Sequence, residues 1–219
     1  HGTMHSDAAS FYRKIQGEDF PNIIRIACLQ HIKRKFIDCM DAEPDAKKMV
    51  GLINKLYHEE HKHKIGENSW TVEDNFKWRQ QYAPAILAEI KDKLDEILRK
   101  PDLLPDSELS YAASYFNNEW EAVVDIFKRG DTALDNNLAE RMNRYFSMSR
   151  RSSLFFGSHK GAERAAVLYT LALSAKMNHL NLFDYLADIL DKTAQWQPNA
   201  PLENYRNLLP DRWQPSTKE

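Results

Sequence analysis

The chain has 219 residues, 42% of them hydrophobic, and a formal net charge of −2 at pH 7. This length allows a genuine buried core, and the composition is that of a globular chain rather than a disordered one. The near-neutral balance gives no global sign of nucleic-acid binding, so any anion-binding surface must come from local clustering of charge. Two cysteines, Cys28 and Cys39, are too few for a disulfide framework and favour a reducing compartment. No apolar run is as long as a membrane span, which needs about 20 residues. No signal peptide is visible.

One segment near the start of the chain has a clear strand pattern. It is the β-branched run NIIRIACL, residues 22–29, and QHIKRKFIDCM continues from it as a predicted helix. Upstream, the stretch SDAASFYRKI predicts the end of a short strand at Asp7 and then a short helix. Residues 1–4, His-Gly-Thr-Met, resemble the remnant of a cloning tag, and we set them aside from the fold.

Residues 45–130 have the pattern of a helical bundle. Apolar side chains recur there at helical spacing, with charged residues on the opposite faces. Asp106 or Ser107 can cap the last of these helices, and Gly130 ends it. Helices separated by proline and glycine favour an antiparallel bundle. The apolar positions are Met49, Leu52, Ile53 and Leu56, then Ile86, Leu87, Ile90, Leu94, Ile97 and Leu98, then Leu109, Ala112, Phe116, Trp120, Val123 and Phe127.

The last third of the chain predicts three more helices and a tail. A helix with a polar start runs from about Asn136 and is broken at FFGSH. The next helix, about residues 160–177, has apolar residues on most sides and is therefore expected to be buried. FDYLADIL forms a further helix, and the proline-containing tail after Gln197 is expected to be extended. These elements predict a mainly α protein of the α+β class with few strands.

The most basic part of the chain surrounds a single glutamate, Glu140. Residues 140–164 hold six Lys or Arg side chains against two glutamates, although the chain as a whole is slightly acidic. Such a cluster is typical of a phosphate-binding surface, and a solvated helix face is the ordinary alternative. Glu140 either forms a surface ion pair with Arg144, four residues on, or holds a cation where a polyanion lies. The six basic residues are Arg141, Arg144, Arg150, Arg151, Lys160 and Arg164.

Two further motifs contain side chains that can bind metal ions. Asp7 follows the end of a short strand, a common place for a catalytic carboxylate, although an aspartate there is more often a helix N-cap. Cys28 and His31 form a Cys-x-x-His pair. A zinc site built on this pair would need more ligands from the histidines of HEEHKHK, residues 58–64. The alternative is a core cysteine and a histidine that orients a neighbour.

The order of these motifs resembles that of the insertion-sequence sixty-six family of DDE transposases. The similar blocks extend from about residue 5 to residue 213, and they read SDAASFY, CLQHIKRKF, LPDSELSYAASYFNNEW, DNNLAERMNRYFSMSRRSSLFFGSHKGAERAA and YRNLLPDRW. The most specific part is Asn-Asn-x-x-Glu-Arg followed by Arg-x-Ser-x-x-Phe-x-Gly-Ser. The resemblance implies a ribonuclease H-like catalytic domain in which three carboxylates hold two divalent metal ions. It also implies a helical insertion between the second and third carboxylates.

The resemblance assigns roles to individual residues. Asp7 matches the second catalytic aspartate and Glu140 the final glutamate, so both would be ligands of Mg²⁺ or Mn²⁺. Cys28 and His31 match a Cys-x-x-His block that supports the site. The partner would be DNA: a water attacks one strand, and the freed 3′-hydroxyl then attacks the target. The neighbours that match the surroundings of the glutamate are Asn136, Asn137, Arg141, Arg144, Arg150 and Arg151.

The resemblance also predicts a domain organisation. Residues 5–44 and 131–195 would form a partial catalytic core, residues 45–130 the helical insertion, and residues 196–219 an extended tail. A bacterial cytoplasmic protein is implied.

The first catalytic aspartate of the family should lie on a strand well before Asp7, and this sequence holds no such strand. We therefore expect this polypeptide alone to bind metal poorly and to be catalytically inactive or nearly so. The strand at residues 22–29 would lack its usual neighbours, and the bare sheet edge would allow a homodimer. The alternative function is an inactive remnant that acts as a helical DNA-binding or self-associating module, with DNA affinity that falls steeply with salt.

Overall fold

The described part of the chain, in a computed structural model, comprises residues 2–7, 12, 15, 20–197 and 199–215. The chain divides into two compact units, residues 1–138 and 139–219. Within the described residues the first unit contains strands β1 (Gly2–Ser6) and β2 (Ile23–Ala27) and helices α1 (Leu29–Cys39), α2 (Pro44–Glu60), α3 (Val72–Leu98) and α4 (Glu108–Phe127). Helix α5 (Asn137–Ser153) begins at the boundary, and α6 (His159–Met177), α7 (Leu182–Ala194) and α8 (Leu202–Asn207) follow. The chain is therefore mainly α with a small sheet, as predicted.

The small sheet is a parallel pair. Its register runs from Gly2 opposite Ile23 to Ser6 opposite Ala27. The strand predicted at residues 22–29 is confirmed but ends at Ala27, because helix α1 starts at Leu29. Setting residues 1–4 aside was wrong for the fold, since Gly2–Met4 belong to β1 and hydrogen-bond to β2. The strand at residues 22–29 therefore has a neighbour. The short helix predicted after Asp7 lies outside the described residues.

Helices α1–α4 and strand β2 share one hydrophobic core. Helix α1 packs against α2 and α4, helix α3 packs against the same two helices, and β2 packs against α4. Phe36, Ile53, Ile90 and Phe116, one from each helix, are fully buried. The helical bundle predicted for residues 45–130 is thus confirmed, and α1 joins it. The further division into a catalytic core and an insertion stays a prediction.

Local signals explain where two of these helices begin. Thr71 and Asp74 form a capping box at the start of α3, in which the Asp74 N–H donates to Thr71 Oγ1 at 3.1 Å. Ser107 caps α4 and accepts from the Ser110 N–H at 3.2 Å. Of the two predicted caps, Asp106 and Ser107, the serine is therefore the one used.

A fully buried arginine ties the end of α4 to helices α2 and α3. The Arg79 guanidinium donates to both carboxylate oxygens of Glu60, at 2.7 and 2.6 Å. It also donates to the backbone carbonyls of Ile126 (3.1 Å), Arg129 (2.6 Å) and Thr132 (2.6 Å). A buried guanidinium is tolerated when its N–H groups are all used in this way. Arg79 therefore fixes the loop that follows α4.

A glycine completes the docking of this loop. A Cβ on Gly130 would lie 2.0 Å from the Val72 carbonyl oxygen, so only glycine allows the loop to approach the first turn of α3 this closely. The Asn75 side chain then donates to the Gly130 carbonyl at 2.8 Å. The predicted end of α4 near Gly130 is thus correct, and the physical reason is this close approach.

A second buried ion pair connects the sheet to the bundle. Arg25 on β2 donates to the Glu119 carboxylate on α4 at 2.6 Å, and both side chains are almost completely buried. Removing one partner of such a pair leaves an uncompensated buried charge, which is strongly destabilising. The pair thus fixes β2 against α4.

The second unit has a much smaller core. Within its described residues, Ala175, Tyr185, Ile189 and Trp213 form one buried cluster, and the Tyr185 hydroxyl donates to the Leu208 carbonyl at 2.9 Å. The prediction of an extended tail after residue 196 is wrong in part. Residues 202–207 form α8, and the apolar side chain of Trp213 is buried against Tyr185.

The prediction that the helix at residues 160–177 is buried is also wrong. Ala175 is the one fully buried residue among the described residues of α6. Val167 and Leu168 are each about 60% exposed in the second unit. Apolar residues on most sides of a helix indicate burial only when packing partners surround it. Among the described residues, no helix is both long and apolar enough to cross a membrane.

We predict that Arg79→Ala lowers the free energy of unfolding by about 3–5 kcal/mol, because it removes the charged donor from the Glu60 carboxylate and from the carbonyls of Ile126, Arg129 and Thr132. Denaturant unfolding followed by circular dichroism measures the change. Arg99→Ala is the control, because its guanidinium is 81% exposed and should leave the midpoint nearly unchanged. Equal midpoints for the Arg79 variant and the parent chain would contradict this account of the loop.

Candidate functional site

The carboxyl ends of the two parallel strands bring Asp7 and Cys28 side by side. Each residue directly follows its strand, and the Cys28 N–H donates to the Ser6 carbonyl at 3.1 Å. The carboxyl end of a parallel sheet is the usual place for a ligand site in folds with parallel strands. The predicted position of Asp7, at the end of a strand, is confirmed. Its alternative role as a helix N-cap concerns residues outside the described part.

Cys28 behaves as a core residue. It is 2% exposed, and burial raises the pKa of its thiol above the usual value, although backbone groups of Asn136, His31 and Gln30 oppose the shift. A thiol that stays protonated is a poor metal ligand, because binding requires the thiolate. His31 is half-buried on the first turn of α1. The two residues therefore lie beside the strand ends without forming a metal site of their own.

The zinc hypothesis is wrong for the described residues, which include all of its candidate ligands. They contain no group of three or more His, Cys, Asp or Glu side chains that could hold a metal. His63 instead stacks on Trp70, with ring centroids 3.9 Å apart, and meets the edge of Trp78 at 5.2 Å. His61 lies near the ring of Tyr57. Aromatic packing explains His61 and His63 better than metal binding.

The chain returns from α4 to the strand ends through residues 134–137. The Leu29 N–H donates to the Leu134 carbonyl at 2.9 Å, and Leu134 is buried. The backbone of Asn136 therefore lies against Cys28. Asn136 and Asn137, which the sequence singled out, are thus placed at the carboxyl end of the sheet beside Cys28.

Asp135 is a residue of this site that the sequence analysis missed. One carboxylate oxygen accepts the Asn137 N–H at 3.1 Å, and the other accepts the Tyr57 hydroxyl at 3.3 Å. Burial, and then the Asp135 charge, raise the pKa of Tyr57 far above its usual range, so the hydroxyl remains a donor. Asp135 thus fixes the start of α5 to helix α2. An aspartate two residues before a helix start is the signal that could have indicated it.

His5 is the second missed residue. Its Nε2–H donates to the Ala27 carbonyl at 3.0 Å, within the parallel pair. Burial lowers the pKa of His5 below its ordinary value, while the Ala27 carbonyl and the Asp135 charge oppose the shift. The ring therefore supports the strand ends as a neutral group at neutral pH.

Helix α5 carries the predicted glutamate and four of the predicted arginines, and its described residues include no buried side chain. Glu140 lies in its first turn. One face of the helix lines an open groove of about 650 Å³, formed by Glu140, Asn143, Arg144, Ser147, Met148 and Arg151. Positions three and four apart share a helix face, which places Arg144 and Arg151 on the same side as the carboxylate.

The six predicted DNA-binding cations are all exposed. They are Arg141, Arg144, Arg150 and Arg151 on α5, and Lys160 and Arg164 on α6. The ion pairs formed by described residues include none of these six side chains, and no Glu140–Arg144 pair is among them. Exposed cations without acidic partners are available for phosphate groups. Asp7 belongs to the first unit and Glu140 to the second, so their convergence on shared metal ions stays a prediction.

Comparison with known families defines the class of this protein. The family described as Transposase IS66 family matches residues 1–164, which run from β1 into α6 and include Asp7 and Glu140. The chain belongs to this family. The resemblance seen in the sequence motifs is therefore confirmed.

Two curated proteins of Sinorhizobium fredii are similar to this chain. The chain is 27% identical to "Uncharacterized protein y4jD" over 218 residues, which cover 97% of this chain and 41% of the relative. It is 28% identical to "Uncharacterized protein y4hP" over 196 residues, or 85% of this chain and 34% of the relative. The chain thus spans less than half the length of these relatives. No solved structure matches it.

We predict that nuclear magnetic resonance titration of the His5 ring gives a pKa below about 6.5, the value of an unperturbed histidine. The unfolded chain then takes up this proton at a higher pH than the folded chain. The contribution to stability is therefore complete above about pH 6.5 and is lost as the pH falls through the folded pKa. His5→Gln should reduce this loss on acidification. A His5 pKa at or above 6.5 would show that burial does not determine the pKa of the ring.

Proposed function

We propose that this chain supplies two of the three catalytic carboxylates, and much of the DNA-binding surface, of a transposase that cleaves and transfers DNA strands. Membership of the Transposase IS66 family supports a role in transposition. The observation that carries the finer proposal is the pair of carboxylates in the matched region. Asp7 directly follows a parallel strand, and Glu140 stands exposed on a basic helix.

Asp7 and Glu140 would hold Mg²⁺ or Mn²⁺, and the donor set suits these ions. Both residues offer hard carboxylate oxygens, whereas the neighbouring Cys28 thiol is kept protonated by burial and does not compete. When bound, two such ions stabilise the attacking and leaving oxygens of an in-line displacement at phosphorus. The third carboxylate would come from another part of the transposase, in keeping with relatives that are more than twice as long.

The chain's own residues would bind and orient the DNA. Arg144 and Arg151 share the groove of Glu140, so a phosphate backbone held there would lie beside the carboxylate. Such contacts position the duplex without reading its sequence. Asp135 would hold the residues just before α5, since it accepts hydrogen bonds from the Tyr57 hydroxyl and the Asn137 N–H.

The alternative is a DNA-binding or self-associating module without chemistry. The exposed cations of α5 and α6 support this reading as well, because both proposals expect DNA affinity that falls as salt rises. The two proposals differ at Glu140. A binding module does not need that carboxylate, whereas a strand-cleaving enzyme does.

In a full-length transposase that contains this chain, we predict that Glu140→Gln slows DNA strand cleavage by more than about 100-fold. Groups that only support metal ligands cost about 10–100-fold when removed, and a direct ligand should cost more. Cleavage of radiolabelled DNA ends in Mg²⁺ measures the rate, and DNA affinity should be unchanged or higher.

Glu163→Gln is the matched control, because Glu163 is an exposed glutamate on the neighbouring helix α6. It should cleave at the parental rate. A Glu140→Gln enzyme that cleaves as fast as this control would reject the catalytic proposal and favour the binding module.

A further inference from the structure

The turn between α5 and α6 presents an aromatic ring to solvent. Phe155 is 83% exposed, more than any other large apolar side chain in the described residues. Exposing a phenylalanine this fully is unfavourable in water, so a ring in such a position commonly marks a contact surface. The next residue, Phe156, is half-buried.

The turn partly buries the Phe156 side chain and exposes the Phe155 side chain to solvent. The Phe156 ring stacks on Phe146 of α5, with centroids 6.0 Å apart and planes within 12° of parallel. Phe146 in turn meets the edge of Tyr169 on α6 at 5.2 Å. A Cβ on Gly161 would lie 2.2 Å from the Phe156 carbonyl oxygen, so the start of α6 is pressed against this residue. Phe156 therefore packs within the unit, whereas its neighbour Phe155 is exposed.

The backbone of the turn fixes the same arrangement. The Leu154 N–H donates to the Arg150 carbonyl at 3.0 Å, and Leu154 has a φ of 42°, in the left-handed region. Gly157, with a φ of 74°, then directs the chain into α6. Ser158 caps that helix by accepting the Gly161 N–H at 3.0 Å. Phe155 therefore lies in an ordered turn between α5 and α6.

Positive charge surrounds this ring along the chain. Arg150 and Arg151 precede it at the end of α5, and Lys160 and Arg164 follow it at the start of α6. All four are exposed. An exposed aromatic ring among exposed cations is complementary to a nucleic acid, which offers phosphates to the cations and the flat face of a base to the ring. A purely apolar protein partner would leave these four charges without counterions.

We propose that Phe155 stacks on an unpaired base at the DNA end that this transposase binds. The proposal rests on the proposed function and adds a residue that recognises the form of the DNA end. Within an intact duplex both faces of each base are covered by its neighbours. A base at a frayed or cleaved end is free to stack on a protein ring. The arginines would hold the backbone, and Phe155 would distinguish an opened end from a continuous duplex.

The test compares two DNA molecules of the same sequence, one blunt and one with three unpaired nucleotides at its end. Binding by the 219-residue chain is measured by fluorescence anisotropy at several salt concentrations. The parent chain should prefer the opened end. Phe155→Ala should reduce affinity for the opened end by about 10- to 100-fold and leave the affinity for the blunt duplex unchanged.

Two further variants make the result specific. Phe155→Trp should keep the preference, because it keeps a stacking ring. Phe183→Ala should also keep it, because Phe183 is 79% exposed but lies on α7. Photocrosslinking of 5-iodouracil at the unpaired position, mapped by mass spectrometry, should identify Phe155 as the attached residue.

Three outcomes would overturn the inference. Phe155→Ala could bind both DNA molecules like the parent, lose affinity for both equally, or leave the crosslink in place at another residue. Salt-dependent binding without preference for the opened end would reject the role of Phe155 and leave the proposed DNA-binding function standing. Absence of DNA binding at any salt concentration would reject both.

Discussion

The buried guanidinium of Arg79 is the constraint on which the arrangement of the site depends. Its N–H groups join Glu60 at the end of α2 to the carbonyls of residues 126–132, the end of α4 and the loop beyond. Because that loop is fixed, the chain returns to the start of α1 at Leu134, whose carbonyl accepts the Leu29 N–H. Asp135 then meets Tyr57 and the start of α5. One charge buried in the helical bundle thus sets where the helix of Glu140 begins.

Glu140 and the arginines beside it lie on a helix with little packing. The first unit has one continuous core, whereas the described residues of α5 include no buried side chain. A helix dense in arginine has little to gain from burial, because each cation would lose its hydration. Its exposed face is instead available to a polyanion. The ordered turn after α5 adds the exposed aromatic ring of Phe155. The core of the first unit and the proposed DNA-binding cations therefore lie on different elements.

Much of the fold was predictable from the sequence, and the failures have physical causes. Helical periodicity located α3, α4 and α6 because their apolar spacing is a local property. The end of β1 at Asp7 was predicted, but its first residues were set aside because Gly-Thr-Met-His has no strand pattern, and only the pairing with β2 makes it a strand. The burial of α6 was mispredicted because exposure depends on neighbours, which composition does not reveal. Helix α8 was missed because the prolines around it favour extended structure.

The sequence could suggest candidate site residues only where they lie within a recognisable motif. Asp7, Glu140 and the arginines were proposed from the order of motifs and the local charge. Asp135 and His5 were missed because their roles depend on contacts across 78 and 22 residues of chain. The histidines at residues 58–63 suggested a metal, but His63 stacks on Trp70 instead, a distinction that their spacing does not make. Local composition thus identified the charges, and the fold determined their partners.

The central claim is that Asp7 and Glu140 bind the same pair of metal ions, and metal-directed cleavage of the protein tests it most directly. Fe²⁺ replaces Mg²⁺ in a full-length transposase that contains this chain and is bound to a DNA end. Ascorbate and peroxide then generate radicals that cut the nearest backbone. Our account predicts cuts beside both Asp7 and Glu140, and the loss of both sets when either Asp7→Asn or Glu140→Gln is introduced. Cuts beside one residue only, or cuts beside Asp7 that persist in Glu140→Gln, would contradict it.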